Sequence, residues 1–299
     1  MQYEELKGKR VLLTGGCGFI GRNLTVELKR HGAEVKIFDI NGVEGDYGDI
    51  RDERQVIDAL RDVDFVYHLG AIVGVDEALQ SPALVMDVNL GGTANLLKAL
   101  KTATNVKRMV FASSSEIYGD REMMKETDTP APCSVYGLAK ATAESYCWSY
   151  WHDFGIETVC LRFFNVYGRW QKQSFVVPIF KENIRKDERP LIIGDGKQYR
   201  CYTHINDAVD GLLRAMLVKE ALGEIFNIGS ETETSVLDLA MFMIKESGKD
   251  IKPMFRPQFR DYEIMKRHPD ITKARVILGW EPKVDWQTGV RELMNDSSN

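Results

Sequence analysis

The chain has 299 residues, 44% hydrophobic and 28% charged, with a net charge of −5, the balance of an ordinary globular protein with a sizeable core. Acidic balance with no basic run argues against broad attraction to nucleic acid, and no apolar run nears the ~20 residues that span a bilayer. Five scattered cysteines without a CxxC pair, and five scattered histidines, suggest neither a disulfide framework nor a metal. The opening "MQYEELKGKR" is polar and runs straight into a strand rather than reading as a secretory signal, so a reducing cytoplasm is the expected setting.

In chain order, "RVLLTG" predicts a strand and 19–31 a helix with Ile20, Leu24 and Leu28 on its apolar side. "EVKIFD" is the next strand and "RQVIDALR" a short helix. "DFVYHLGA" is a strand, 82–101 a long helix, "RMVFAS" a strand, 136–154 a helix and "ETVCLRFFNV" a strand. Mostly apolar strands alternating with helices predict a doubly wound α/β fold, a parallel sheet covered on both faces. After Tyr167 the segments become loop-rich and charged. Among them "NDAVDGLLRAML" predicts a helix, and "EIFNIG" a strand that returns to the main sheet. The division this suggests is a Rossmann dinucleotide-binding domain of 1–168 plus about 201–228, with a smaller loop-rich substrate lobe of about 169–200 plus 229–299.

"TGGCGFIG" joins the first strand to the first helix, and Gly15, Gly18 and Gly21 give the spacing GxxGxxG. A tight turn, close backbone approach to a pyrophosphate and a helix N-terminus meeting the phosphate all require such glycines. A turn with structural duties alone would look the same. Asp39 ends the second strand 18 residues after Gly21, placed to bind adenosine ribose hydroxyls and to repel a 2′-phosphate, which favours NAD over NADP. Asp49 and Ile50, in "GDIRD", are placed to meet the adenine.

Tyr136 and Lys140 in "SVYGLAK" lie four apart on one helix face. A tyrosine with an ordinary pKa near ~10 is a poor base at neutral pH, and a nearby ammonium with a positive nicotinamide would bring it into range. Before them, "FASSSEIYG" sets three hydroxyls and a carboxylate where a strand leaves the core.

With these motifs the chain resembles an extended short-chain dehydrogenase/reductase of the nucleotide-sugar epimerase/dehydratase family. The resemblance covers nearly the whole chain and rests on "TGGCGFIG", Asp39, "HLGA", Asn89 in "DVNLGGT", "SSSEIYG", "YGLAK", "LRFFNVYG", "GDGKQYRCYTHIND" and "PDITKARVILGWEP". It implies an NAD-dependent enzyme that transiently oxidises a nucleotide-diphosphate sugar at C4. Tyr136 would be the base, Ser114 the hydrogen-bonding partner of the same oxygen, and Lys140 the holder of the nicotinamide ribose. Phe19, Ile20, Leu69 and Ala71 would join the cofactor site; Ser114, Ser115, Asn165, Arg200 and Arg260 would meet the substrate, the arginines at its diphosphate. Relatives often dimerise through helices corresponding to 82–101 and 136–154, so a homodimer is expected.

The same resemblance offers several reactions. A dehydratase usually carries an Asp–Glu pair after the catalytic hydroxyl, whereas Ser115 and Glu116 stand here. Ser-Glu, and Arg267 in "KRHPDITKA", instead resemble the nucleotide-hexuronate decarboxylases, in which a C5 carboxylate becomes β to a ketone once C4 is oxidised. Decarboxylation is therefore the first expectation and 4-epimerisation the second. Ketoreduction with release of NADH, or a non-catalytic sensor, would follow. Against decarboxylation, "HLGAIVGVDEAL" reads like general sugar epimerases, its Asp76 suits a neutral or amino sugar, and no acidic residue follows Tyr136. Glu116 could equally bond loop amides, and Arg267 could belong to a solvated charge run.

Overall fold

The computed structural model describes residues 3–43, 45–257 and 264–296, without the side chains of Val75 and Asp76. Six parallel strands form the main sheet, in the spatial order Ile225–Ile228, Thr158–Phe163, Arg108–Ser114, Phe65–His68, Arg10–Thr14 and Glu34–Phe38. Thr158–Phe163 and Phe65–His68 are buried along their entire length, because helices cover both faces. One face packs the Phe19–Arg30 and Ile205–Leu217 helices, through Leu24, Leu28, Leu212 and Met216. The other packs Glu53–Ala59, Gly92–Leu100 and Val135–Phe154, through Val56, Leu96, Ala143 and Cys147. The doubly wound fold and the return of "EIFNIG" to the sheet are as the sequence predicts. Among the described residues, no helix is long and apolar enough to cross a membrane.

Two features differ from expectation. The predicted helix over 82–101 is helical at Pro82–Met86 and Gly92–Leu100, with a π-turn between them at Asp87–Gly91. That widened turn carries Asn89, whose amide is spent on the backbone of Ile72. After Tyr167 the chain is more helical than its charge and prolines suggest. Helices Val176–Arg185, Val236–Ser247 and Trp286–Asn295 enclose a third core of Val177, Phe180, Ile184, Leu239, Met243 and Val290. Pro178 lies in the first turn of its helix, where a missing N–H breaks no bond.

Two arginines reach into the sheet. Arg108 donates to the Ala215, Met216 and Val218 carbonyls, at the C-terminal end of the Ile205–Leu217 helix, where no backbone donor remains. Arg162 is 2% exposed and pairs with Glu144 of the Val135–Phe154 helix, Nη2 to Oε2 at 2.7 Å and Nε to Oε1 at 3.0 Å. Arg162→Met strands a buried carboxylate and is expected to cost about 3–5 kcal/mol of stability. Arg162→Met with Glu144→Leu should recover most of that loss, measured by urea unfolding; equal losses in both variants would show that the pair is not what matters.

Candidate active site

Four of the predicted site residues stand at the carboxyl ends of the strands, where a doubly wound sheet opens its crevice. Gly15 and Asp39 each directly follow a strand, Ser114 is the last residue of one, and Asn165 lies two past another.

At the nucleotide end, Gly15 has φ +71°, and a Cβ there would stand 2.7 Å from the Gly70 nitrogen. A Cβ on Gly21 would stand 2.3 Å from the Gly15 oxygen. Side chains are thus excluded where the turn crosses the loop that follows the third strand. Asp39 accepts from the Cys17 N–H at 2.9 Å and the Asn41 N–H at 2.8 Å, which locks it to the glycine turn and leaves two of about four acceptor sites over. Among the described residues no side chain caps the Phe19–Arg30 helix, so its first N–H groups, at Phe19 and Ile20, have neither an intrahelical acceptor nor a capping side chain. This donor set fits a dinucleotide: amides for the pyrophosphate and a carboxylate for ribose hydroxyls. Asp49 is held to Arg51 at 2.6 Å, and that pairing keeps its carboxyl below the usual range. Ile50 is largely core, against Gly92.

Leu69, Gly70 and Ala71 follow His68, which burial, then the charge of Lys140, holds down to about 3 and therefore neutral. The Thr93 hydroxyl donates to the Asn89 carbonyl at 2.6 Å and so must accept from His68 Nε2 at 2.9 Å. His68 Nδ1 then accepts from the Thr14 hydroxyl at 2.7 Å, and Thr14 accepts from the Gly70 N–H at 3.1 Å. This chain clamps the "HLGA" loop to the first strand, and only the tertiary structure brings its members together.

At the chemical end, Ser134 caps the Val135–Phe154 helix through the Gly137 N–H at 3.1 Å and sets Tyr136 in its first turn. Burial pushes the Tyr136 phenol up to about 12; its hydrogen bond with Ser114 acts the other way, and the Glu116 charge adds to the rise. Lys140 is 3% exposed, donates to the Ala112 carbonyl at 2.7 Å, and is lowered to about 8 by burial. Its ammonium is engaged by that carbonyl and lies 4.7 Å from the centre of the Phe111 ring.

Glu116 and Arg267, distant in sequence, are partners. Arg267 Nη1 lies 2.9 Å from Glu116 Oε1 and donates to the Ser115 hydroxyl at 3.4 Å. Arg267 is 7% exposed, so it is no member of a solvated charge run. A Cβ on Gly137 would stand 2.7 Å from the Glu116 carbonyl oxygen, so glycine lets the Glu116 turn press against the Tyr136 helix. Asn165 has φ +36°, and its buried Oδ1 has no hydrogen-bond partner among the described residues. Arg200 donates to the Tyr199 and Ile264 carbonyls, each at 2.8 Å. Arg260 and Glu263, like the Asp76 side chain, lie outside the described residues.

The sequence model of the NAD dependent epimerase/dehydratase family matches residues 11–229. The chain belongs to that family and is an NAD-dependent enzyme. It is 32% identical to the UDP-N-acetyl-alpha-D-glucosaminuronate decarboxylase of Bacillus cytotoxicus, over 96% of this chain and 97% of the relative. The solved UDP-glucose 4-epimerase of Thermotoga maritima, with UDP-glucose, is 32% identical with a TM-score of 0.89, over 95% and 97% of the two chains. The UDP-glucuronic acid 4-epimerase of Bacillus cereus, solved with UDP-glucuronic acid and NAD, is 29% identical with a TM-score of 0.86, over 95% and 98%.

The Lys140 shift has a sign that stability measurements can read. Its proton is held less tightly folded, at about 8, than in an unfolded chain, so the cost of burying the charge is complete below pH 8. From pH 8 to ~10.5 the unfolded state binds more protons and stability rises with pH. Wild type is therefore expected to gain roughly 2–3 kcal/mol over that window relative to Lys140→Met. Parallel stability–pH curves would show that Lys140 is not buried as a cation.

Proposed function

We propose that this enzyme modifies a nucleotide-diphosphate sugar by transient oxidation at C4, and that its substrate is a nucleotide-hexuronate which it decarboxylates. The observation that carries the reading is the Arg267–Glu116 pair beside Ser114 and Tyr136. A nearly buried guanidinium in a sugar site is a carboxylate receptor with fork geometry, and a neutral hexose gives it nothing of that kind to bind. Two of the similar proteins are named for uronate substrates, a decarboxylase and a 4-epimerase.

The glycine turn and Asp39 would hold NAD, which would supply a reversible hydride acceptor for the sugar C4. Tyr136 removes the proton of the 4-hydroxyl, and Ser114 holds the same oxygen. Buried as a neutral phenol, Tyr136 becomes a working base only when positive charge stands beside it. Lys140, one helical turn away, is the residue to supply it while holding the nicotinamide ribose. The C5 carboxylate is then β to a ketone. Its bond to C5 breaks, the electron pair passes into the enolate, carbon dioxide leaves, and C5 takes up a proton. Arg267 holds that carboxylate in competition with Glu116, and crowding by the Glu116 anion favours departure as neutral carbon dioxide. Asn165, whose buried oxygen has no partner among the described residues, and Arg200 and Arg260 are assigned to the sugar and diphosphate. The lobe of about 169–200 plus 229–299 is the proposed holder of the nucleotide end. A homodimer through the 82–101 and 136–154 helices fits the exposed Leu138, Tyr146, Trp148 and Phe154.

A second reading is 4-epimerisation with all carbons kept. Gly137 favours it: this backbone has no room for the acidic residue many decarboxylases carry after the tyrosine. Glu116 and Arg267 would then form only a wall of the sugar pocket.

A proton NMR time course with NAD and UDP-, dTDP-, GDP- and CDP-sugars, including UDP-glucuronate, decides between them. Decarboxylation predicts a nucleotide-pentose with one carbon dioxide per sugar; a C4 epimer with six carbons would establish the second reading, and an unchanged panel would remove both. Arg267→Ala is expected to lower kcat/KM for UDP-glucuronate about 10²-fold, the worth of a lost charge-assisted bond of about 3 kcal/mol, while NAD affinity holds.

A further inference from the structure

Behind the Glu116–Arg267 pair lies a buried polar network that the chemistry above does not use. We infer that Tyr118 is a positioning residue whose hydroxyl couples the Glu116 turn and the Arg267 segment to the helix that carries Tyr136 and Lys140. The inference rests on the reading that Glu116 and Arg267 face the sugar.

Tyr118 is fully buried, two residues after Glu116 in the same 3-10 turn, Ser115–Tyr118. Its oxygen accepts from Arg162 Nη1 at 2.8 Å. Arginine has no acceptor, so the single phenolic proton is available for the other partner, Asn227 Oδ1 at 2.6 Å. That bond orients the Asn227 amide, whose Nδ2 donates to the Met124 carbonyl at 2.9 Å and the Asp270 carbonyl at 3.0 Å. Asp270 lies three residues after Arg267, just beyond the strand His268–Pro269, and that strand pairs with Met123–Met124. On the far side, Arg162 grips Glu144, four residues after Lys140 on the same helix.

Every donor in this chain therefore has one direction. Three separate stretches that carry the proposed chemistry meet at one phenolic oxygen. A substitution that removes only that oxygen keeps the ring packed on Phe164, at 6.1 Å between centroids, and leaves an empty donor on Arg162 and an empty acceptor on Asn227.

Tyr118→Phe tests the assignment with UDP-glucuronate as probe. Turnover is expected to fall at least tenfold, with KM for UDP-glucuronate and Kd for NAD each within threefold of wild type. Amide hydrogen exchange should accelerate together in 115–124 and 266–272. Combined with Arg267→Ala, the second change should cost less than threefold further, because the pair is already displaced. Wild-type turnover in Tyr118→Phe, losses that multiply in the double variant, or faster exchange in only one of the two segments would each overturn the inference. Wild-type turnover in Arg267→Ala alone would sink the functional reading instead; coupled exchange of the two segments then decides whether Tyr118 joins them. Should Tyr118→Phe not fold, Asn227→Ala should release 123–124 and 266–272 together while 115–118 stays protected, since Arg162 still holds Tyr118, and uniform release would count against the coupling.

Discussion

Arg162 puts a fully buried positive charge into the main sheet, and much of the molecule is arranged around that constraint. A guanidinium taken out of water costs several kcal/mol unless its donors are met in good geometry. Here they are met by Glu144 from the covering helix and Tyr118 from the turn after the neighbouring strand. An apolar contact tolerates sliding; a bidentate ion pair in low dielectric does not. The helix bearing Tyr136 and Lys140 is thus fixed in rotation and height against the strand ends, and an acid–base pair needs that accuracy.

The charges at the site oppose one another. Burial holds Tyr136 in its phenol form and loosens the proton of Lys140. Glu116 pushes the phenol further from ionisation, while Arg267 balances Glu116. On the proposed reading, positive charge arriving with the oxidised cofactor would shift the first balance, and a substrate carboxylate competing for Arg267 would shift the second.

The alternation of strands and helices was legible because a parallel sheet buried on both faces needs unbroken apolar runs. Tyr136 with Lys140, and the glycine turn, could be singled out because their geometry is local, one helical turn or a turn between strand and helix, whereas Ser114 stood out only through the family resemblance of its motif. The three helices of the second lobe were harder to read. Their apolar stripes, such as Val177, Phe180 and Ile184, are narrow, and charged faces or Pro178 surround them. Arg162 was passed over because an arginine inside a strand gives no sign of its partner. Thr14, His68 and Thr93 were passed over for the same reason: their hydrogen bonds join different elements.

The sequence by itself determined the class of fold, through the periodicity of its apolar runs, and, through motifs that resemble those of known enzymes, the family and the cofactor. Only the tertiary structure decided that Glu116 and Arg267 are one ion pair, that Lys140 is engaged by the Ala112 carbonyl, and that Gly137 is glycine to admit the Glu116 turn. Contacts between distant segments depend on how strands and helices stack, and burial then sets the strength of every charge brought together there.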